Sequence, residues 1–411
     1  MKTHSLLSIP AGLLLVAVVF LSGCKEDPPI SIYDDTSLNV ASKPQPIVSS
    51  IAPPGGGLAG ITQITLTGAN FSPVKEENTV YFDAARATVL QASATQLIVT
   101  APLLAKDSIA VRVSVFGAEL FSPVLRYTLE TAVEEFGKIA TFEEPWASAT
   151  DAAGNLYVSM IVSGVGGGIK KFAPDGSRTD FAPAASITKF SGMKVGPGGD
   201  LYAVRIIRAI YQIPAAGGSP VAWMQIPNTS LYDLDFDQDG NIWTGGTGNG
   251  NIFRVKPDKS YKAFPFNADV RTIRFFGGYV YAGGRTFPDS AEKVVRFRYI
   301  SADSIGPPEE YINLSTAGFK GRYIYAMNFA ADGDLFLGTD GANPLLRVTP
   351  AKNIEEFYPG VLGPTIHLMT WGSGPLLYAF RGTGIIGSVG QSQKILRMNM
   401  QKNGAPYYGR P

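Results

Sequence analysis

The chain has 411 residues, a formal net charge of +1 and a single cysteine, Cys24. The near-neutral charge excludes the basic excess that attracts nucleic acid, and the lone cysteine excludes an internal disulfide or a thiolate metal site. The two histidines, His4 and His367, are too few for a histidine-rich metal centre. Short β-prone runs separated by many of the 46 glycines and 29 prolines predict a nearly all-β protein of two or three domains.

Residues 1–23 have the layout of a bacterial secretory signal. Lys2 gives a positive start, and an interrupted apolar run over residues 6–20 follows. The run is too short and too interrupted for a typical membrane-spanning helix, which needs about 20 apolar residues. The next stretch, Leu-Ser-Gly-Cys at 21–24, resembles a lipobox, where lipoprotein signal peptidase cuts before a lipid-modified cysteine. The resemblance implies a mature chain that begins at Cys24 and carries palmitate-type acyl chains. An ordinary secretory signal with an incidental cysteine is the alternative.

Residues 24–45 are polar, contain three prolines and show little apolar periodicity, which predicts a flexible tether. Its Lys25-Glu26-Asp27 stretch resembles the surface-export signal of lipoproteins in Bacteroidota-type bacteria. The resemblance implies a chain that is anchored in the outer membrane through Cys24 and exposed at the cell surface. The inner leaflet of the outer membrane is the alternative location.

Residues 46–129 contain six or seven short β-prone runs. In one of them Ile109, Val111 and Val113 alternate with other residues, which predicts a strand with one side against an opposing sheet. About eighty residues of this kind suit a small immunoglobulin-like sandwich. The segment resembles the IPT/TIG family. The matching stretches are Leu66-Thr67-Gly68-Ala69-Asn70-Phe71, Val80-Tyr81-Phe82 and Leu97-Ile98-Val99-Thr100-Ala101-Pro102. The resemblance implies a spacer or interaction module without catalytic residues.

Residues 130–411 repeat a tight turn followed by an aliphatic–aromatic pair. The six pairs, 38 to 55 residues apart, are Leu156-Tyr157, Leu201-Tyr202, Ile242-Trp243, Val280-Tyr281, Leu335-Phe336 and Leu377-Tyr378. Four short strands in roughly 40–50 residues are typical of a β-propeller blade, so six copies predict a six-bladed propeller. Each copy is expected to end in an outer strand with an aromatic residue, the last being Tyr407. The repeats resemble NHL-type propeller repeats.

Residues that could carry chemistry are scarce. His367 lies in the predicted inner strand of the last blade, where a packed polar role is favoured, and no motif supports a serine–histidine–acid triad. Residues 235–241 resemble the start of a calcium loop, but Gly246 stands where the final glutamate is expected, so a structural turn is favoured. No cofactor is therefore predicted, although a calcium ion bound in the channel is left as an alternative.

A ligand is predicted to bind on the propeller face that gathers the blade connections and the loops between second and third strands. Guanidinium, amide and aromatic groups on one rim could grip a sugar or a carboxylated polymer. The candidate ligand-binding residues are Arg205, Arg208, Arg285, Asp340, Asn343, Arg381, Trp146 and Asn267. The alternative for each of them is a solvated position paired with a local acid.

These features favour a non-enzymatic surface lipoprotein that binds a glycan, a peptide or an envelope protein, with the IPT/TIG-like segment as spacer. Two alternatives stay open. One is a metal-dependent propeller hydrolase or lactonase, and the other is a structural scaffold of the envelope.

Overall fold

The computed structural model describes residues 42–248, 250–382 and 393–408. The predicted signal peptide, Cys24, the tether up to residue 41 and most of the loop at 381–393 lie outside the described residues. Helical structure in these ranges is limited to three 3-10 turns, at Lys75–Glu77, Ser186–Thr188 and Pro197–Gly199. No helix within them is long and apolar enough to cross a membrane.

Eight strands form the first unit. They are β1 (Ile47–Ala52), β2 (Gly57–Leu58), β3 (Gln63–Ala69), β4 (Asn78–Phe82), β5 (Ala85–Ala92), β6 (Gln96–Thr100), β7 (Lys106–Val115) and β8 (Leu125–Glu130). They pair in the order β1-β3-β6-β5-β4-β7-β8-β2. Because β5 pairs with both β6 and β4, it joins the two halves of this path, which share one apolar core around Leu66, Phe82 and Val111.

Six sheets follow, one for each predicted repeat. A short strand, β9 (Val133–Phe136), precedes them. Blade 1 contains β10 (Glu143–Thr150), β11 (Leu156–Val162), β12 (Val165–Phe172) and β13 (Arg178–Ala182), and blade 2 contains β14 (Gly192–Val195), β15 (Leu201–Val204), β16 (Ala209–Ile213) and β17 (Val221–Gln225). Blade 3 contains β18 (Ser230–Phe236), β19 (Ile242–Thr247), β20 (Asn251–Val255) and β21 (Tyr261–Pro265).

The last three blades follow the same order. Blade 4 contains β22 (Ala268–Phe276), β23 (Tyr279–Thr286), β24 (Glu292–Ser301), β25 (Ser304–Ile305) and β26 (Glu309–Asn313). Blade 5 contains β27 (Ile324–Phe329), β28 (Leu335–Thr339), β29 (Leu345–Val348) and β30 (Ile354–Glu356), and blade 6 contains β31 (Ile366–Trp371), β32 (Leu376–Arg381) and β33 (Lys394–Asn399). The first strand of every blade packs against the first strands of both neighbouring blades, which closes the ring. The predicted all-β fold, a sandwich followed by a six-bladed propeller, is confirmed.

The turn before the aliphatic–aromatic pair is held by its own side chains in blades 1 and 3. In blade 3, Asp237 accepts hydrogen bonds from the Asn241 backbone N–H (2.9 Å) and from Trp243 Nε1 (2.9 Å), and Gly240 has a positive φ of 76°. In blade 1, Asp151 likewise accepts from Tyr157 Oη at 3.0 Å. The acidic stretch at 235–241 thus contains a hairpin turn, and the Asp237 carboxylate accepts hydrogen bonds from residues of the same hairpin.

The ring closes differently from the sequence prediction. The fourth strand of blade 6 is β9, which comes from the start of the propeller and pairs antiparallel with β33, Phe136 opposite Ile395. The prediction that Tyr407 marks the outer strand of the last blade is therefore wrong. Mixing strands from the two ends of the segment ties the ring together by backbone hydrogen bonds as well as by side-chain packing.

Residues 403–408 cross one end of the channel instead. The backbone N–H of Ala405 donates to the Phe329 carbonyl (2.9 Å), Tyr407 Oη donates to the Thr150 carbonyl (2.5 Å), and the Tyr408 ring lies 5.4 Å from that of Phe236. Phe329, Thr150 and Phe236 are the last residues of three innermost strands. The segment therefore lies over the channel end at which these strands finish.

The first unit packs directly on the propeller. Leu58 of β2 is buried in the same apolar cluster as Tyr358 and Leu362, which connect blade 5 to blade 6. Leu103 of the sandwich and Val361 of the propeller both lie beside Gly60. The sandwich thus makes an apolar contact with the ring, in addition to the chain connection between them.

Candidate functional site

A cavity of about 310 Å³ lies at the channel end where the innermost strands begin. We call it the channel cavity. Its lining residues are Trp146, Ser191, Ile206, Tyr232, Asp233, Arg271, Thr272, Arg274, Tyr325, Ala326, His367 and Leu368. All six blades contribute to it, because each inner strand starts at this end of the ring. The opposite end is the one covered by residues 403–408.

One wall of the channel cavity is a buried ion pair between blades 3 and 4. Arg274 Nη1 donates to Asp233 Oδ2 at 2.5 Å, and both residues are only 5% exposed. The same carboxylate accepts from Thr272 Oγ1 (3.0 Å), the Ile273 backbone N–H (3.1 Å) and the Leu234 backbone N–H (2.9 Å). Asp233 therefore uses most of its acceptor capacity inside the protein.

A second acid lies two residues further along β18. Asp235 is buried, and its Oδ2 accepts from the Phe275 backbone N–H at 2.9 Å. Burial raises the pKa of Asp235, and nearby cations, Arg274 among them, oppose this shift. The strand pair of blades 3 and 4 is thus joined by two carboxylates that bind the backbone of β22.

A second arginine of the channel cavity is also paired. Arg271 donates from Nη2 to Glu292 Oε2 and from Nε to the Ile324 carbonyl (2.7 Å), and Glu292 is 8% exposed. Arg285 lies 3.6 Å from the other oxygen of Glu292 and stacks 5.1 Å above the Tyr323 ring. Glu292 thus holds two arginines beside the cavity and neutralises part of their charge.

The opposite wall, between blades 6 and 1, is lined by an aromatic ring and an imidazole. The His367 ring stacks on Trp146 with centroids 4.4 Å apart and an interplanar angle of 24°. His367 is 5% exposed, and neither ring nitrogen forms a regular hydrogen bond within the described residues. Burial lowers the pKa of His367 to about 4, and an irregular hydrogen bond from the ring to the Pro145 carbonyl offsets this only in part. The ring is therefore neutral at neutral pH.

Two more buried hydroxyls on the same pair of strands lack partners. Ser148 Oγ of β10 and Thr370 Oγ1 of β31 have no hydrogen bond within the described part of the chain. Their strands pack against each other and also carry Trp146 and His367. Unpaired polar groups are uncommon in protein interiors, so their concentration along one seam marks it as a place for water or a ligand.

The predicted ligand-binding residues are placed as follows. Only Trp146 lines the channel cavity. Arg205 is half-buried and Arg208 exposed in the β15–β16 loop, beside the cavity residue Ile206. Arg285 forms an ion pair with Glu292, which lies beside the cavity. These four lie at or near the channel mouth.

The other four predicted residues lie outside the cavity lining. Asn343 donates to Glu356 Oε2 (2.6 Å), and Asp340 accepts from the Tyr323 backbone N–H (2.9 Å). Asn267 is exposed, and Arg381 is half-buried at the end of β32. None of these four is among the cavity-lining residues. Asn343 and Asp340 mainly fix local loop structure.

Sequence reasoning missed most of the cavity, although a signal for it was present. Each blade supplies a residue that precedes its aliphatic–aromatic pair by nine or ten positions: Trp146, Ser191, Tyr232, Arg271, Tyr325 and His367. Inner and second strands are antiparallel with a tight turn between them, so this offset returns to the start of the inner strand. Counting back from each pair would have found these positions.

No group of three or more histidine, cysteine, aspartate or glutamate side chains is close enough to hold a metal ion in the described ranges. The acids of the channel cavity are held by arginines and backbone amides instead. The described site therefore gives no argument for a channel metal.

Comparison with known proteins identifies the first unit. The IPT/TIG domain family matches residues 46–128, which confirms the resemblance seen in the sequence. No curated protein matches the chain.

Solved structures support the fold. An auxiliary nutrient binding protein from Bacteroides thetaiotaomicron is 12% identical, with a TM-score of 0.51, over 87% of this chain and 98% of its own. A putative phosphatase from the same organism is 11% identical, with a TM-score of 0.53, over 87% and 97%. A luciferin-regenerating enzyme is 16% identical, with a TM-score of 0.53, over 68% and 99%. At such low identities these similarities show the architecture alone.

Proposed function

We propose that the chain is a non-enzymatic binding protein of the bacterial outer membrane, held by a lipid on Cys24, which takes its ligand into the channel cavity. The observation that carries the proposal is the cavity itself. It is concave, joins aromatic and polar side chains from all six blades, and has the size of a small-ligand site.

Three further features support binding without catalysis. The arginines of the cavity are paired with acids, His367 has no acid beside it to form a triad, and no metal-ligand cluster occurs among the described residues. One protein of similar architecture is called an auxiliary nutrient binding protein. The sandwich, packed on blades 5 and 6, is proposed to carry the propeller above the membrane.

Ligand binding is tested by tryptophan fluorescence. The detergent-solubilised full chain is titrated with a panel of saccharides and short peptides. Trp146 lines the cavity, so a bound ligand should change its emission saturably. Trp146→Ala should weaken binding at least tenfold, since it removes the large aromatic surface of the site.

Trp223→Ala is the matched control, because Trp223 lies on the outer half of blade 2 and is absent from the cavity lining. Its affinity should equal that of the unchanged protein. Equal losses in both variants, or no saturable binding to any member of the panel, would contradict the proposal and leave the scaffold alternative ahead.

Lipid anchoring is tested by replacing Cys24 with serine. The unchanged protein should incorporate an alkyne-labelled palmitate in the bacterium and sediment with the outer membrane. Cys24→Ser should lose the label and the membrane association, because the sulfur that forms the thioether is gone. Surface exposure is then read from the digestion of the chain by a protease added to intact cells. Equal labelling of both proteins would refute the anchor.

A further inference from the structure

The arginines of the channel cavity have little charge left for a ligand. Arg274 is bound to Asp233 and Arg271 to Glu292, and both acids are buried. An anionic ligand would have to compete with these carboxylates and would leave a buried acid unpaired, which is costly. The geometry thus argues against the carboxylated ligand that the sequence left open.

His367 offers an uncharged hydrogen-bonding contact instead. A neutral imidazole has one N–H donor and one acceptor nitrogen. The donor is directed at the Pro145 carbonyl without regular hydrogen-bond geometry, and the acceptor nitrogen has no partner within the described residues. The residue lines the cavity and is 95% shielded, since its exposed fraction is 5%. Leaving a buried polar group unpaired is costly, so a ligand that satisfies the free nitrogen of His367 gains a corresponding advantage.

A hydroxyl group matches this site best. It both donates and accepts a hydrogen bond, as the neutral imidazole does, and it carries no charge to desolvate. Tyr232, Tyr325 and Trp146 supply aromatic surface to the same cavity. An aromatic lining with a few polar groups suits a ring that has an apolar face and a hydroxylated edge.

We infer, building on the proposed function, that the ligand of the channel cavity is an uncharged, hydroxyl-bearing ring of the neutral-sugar class, and that His367 hydrogen-bonds one of its hydroxyl groups. This assignment replaces the arginine-based recognition predicted from the sequence with recognition by a neutral histidine and aromatic rings.

The ligand class is tested on the full chain by titration with neutral hexoses and their short oligomers, the matching hexuronates and the matching amino sugars. Neutral sugars should bind at least tenfold more tightly than either charged series. Tighter binding of a uronate or an amino sugar would overturn the inference, while the proposed binding function would stand. Failure of every sugar and peptide to bind would refute both.

The role of His367 is tested with two variants. His367→Phe keeps a ring against Trp146 but removes both hydrogen-bonding atoms, and it should weaken neutral-sugar binding at least tenfold. His367→Gln keeps a donor and an acceptor, and it should retain affinity within about threefold. Unchanged affinity in His367→Phe would overturn the assignment.

Folding is checked separately by thermal unfolding and circular dichroism of each variant. Should His367→Phe lose stability, His367→Leu supplies a second side chain without polar atoms. The comparison with His367→Gln then decides, because a merely structural role would not be rescued specifically by a donor and an acceptor.

Discussion

Replacing Asp233 with alanine should lower the free energy of unfolding by about 3–5 kcal/mol. The carboxylate is bound to Arg274, and it also accepts from Thr272 and from two backbone N–H groups. Without it, a guanidinium that is 5% exposed loses its counter-charge, and the junction between blades 3 and 4 loses its main polar link. Urea unfolding followed by far-ultraviolet circular dichroism measures the change.

A double-mutant cycle separates the ion pair from the rest. Arg274→Met removes the cation but keeps much of the side-chain volume, and the double variant with Asp233→Ala should be less destabilised than the sum of the two single variants. Glu309→Ala is the control, since it breaks a more exposed ion pair within blade 4. In that pair the side chain of Glu309 is 44% exposed and that of Arg296 is 27% exposed. That change should cost no more than about 1 kcal/mol. A loss in Asp233→Ala as small as the control's would show that the pair does not hold the seam.

The repeat was predictable because its signal is local. Asp237, Asn241 and Trp243 lie within seven residues of one another and hold one turn by their own hydrogen bonds. The pattern of turn and aliphatic–aromatic pair therefore recurs wherever a blade begins its second strand. The alternation of Ile109, Val111 and Val113 is local in the same way, and these three side chains are fully buried in the sandwich core.

The closure of the ring could not be predicted from such local patterns. The strand β9 is four residues long, and its partner β33 lies more than 250 residues further along the chain. Tyr407 has the aromatic character of the other outer-strand residues, but its hydroxyl binds the Thr150 carbonyl at the channel end. Both β9 and residues 403–408 are compatible with an edge position, and only the ring geometry selects between them.

The candidate site was likewise only partly predictable from the sequence. Reasoning from loops found Trp146 and the neighbourhood of Arg285, but it favoured arginines because they are the most conspicuous polar residues of the rim. The arginines that line the cavity are instead Arg271 and Arg274, which the sequence analysis did not single out. They are paired with Glu292 and Asp233, which come from other strands or blades. Pairing of this kind depends on contacts between distant segments, so the sequence alone could not show which charges are free.

Replacing Phe136 with alanine should destabilise the propeller by about 3–5 kcal/mol, because the side chain fills the junction between its first and last blades. Phe136 is 4% exposed, and its ring centroid lies 4.9 Å from that of Tyr378 and 6.0 Å from that of Phe172. The loss combines the apolar area removed from the core with the cavity that remains. It should also weaken the attachment of β9 to β33, so thermal unfolding should begin at a lower temperature.

Phe142→Ala is the matched control for this change, since it removes the same side chain six residues later at a position that is 60% exposed. Its effect should remain within about 0.5 kcal/mol. Because Phe136 and His367 both pack at the seam between blades 6 and 1, the loosened closure should also lower ligand affinity in Phe136→Ala. Equal stability of the two variants would mean that the Phe136 side chain contributes nothing to the junction between the first and last blades.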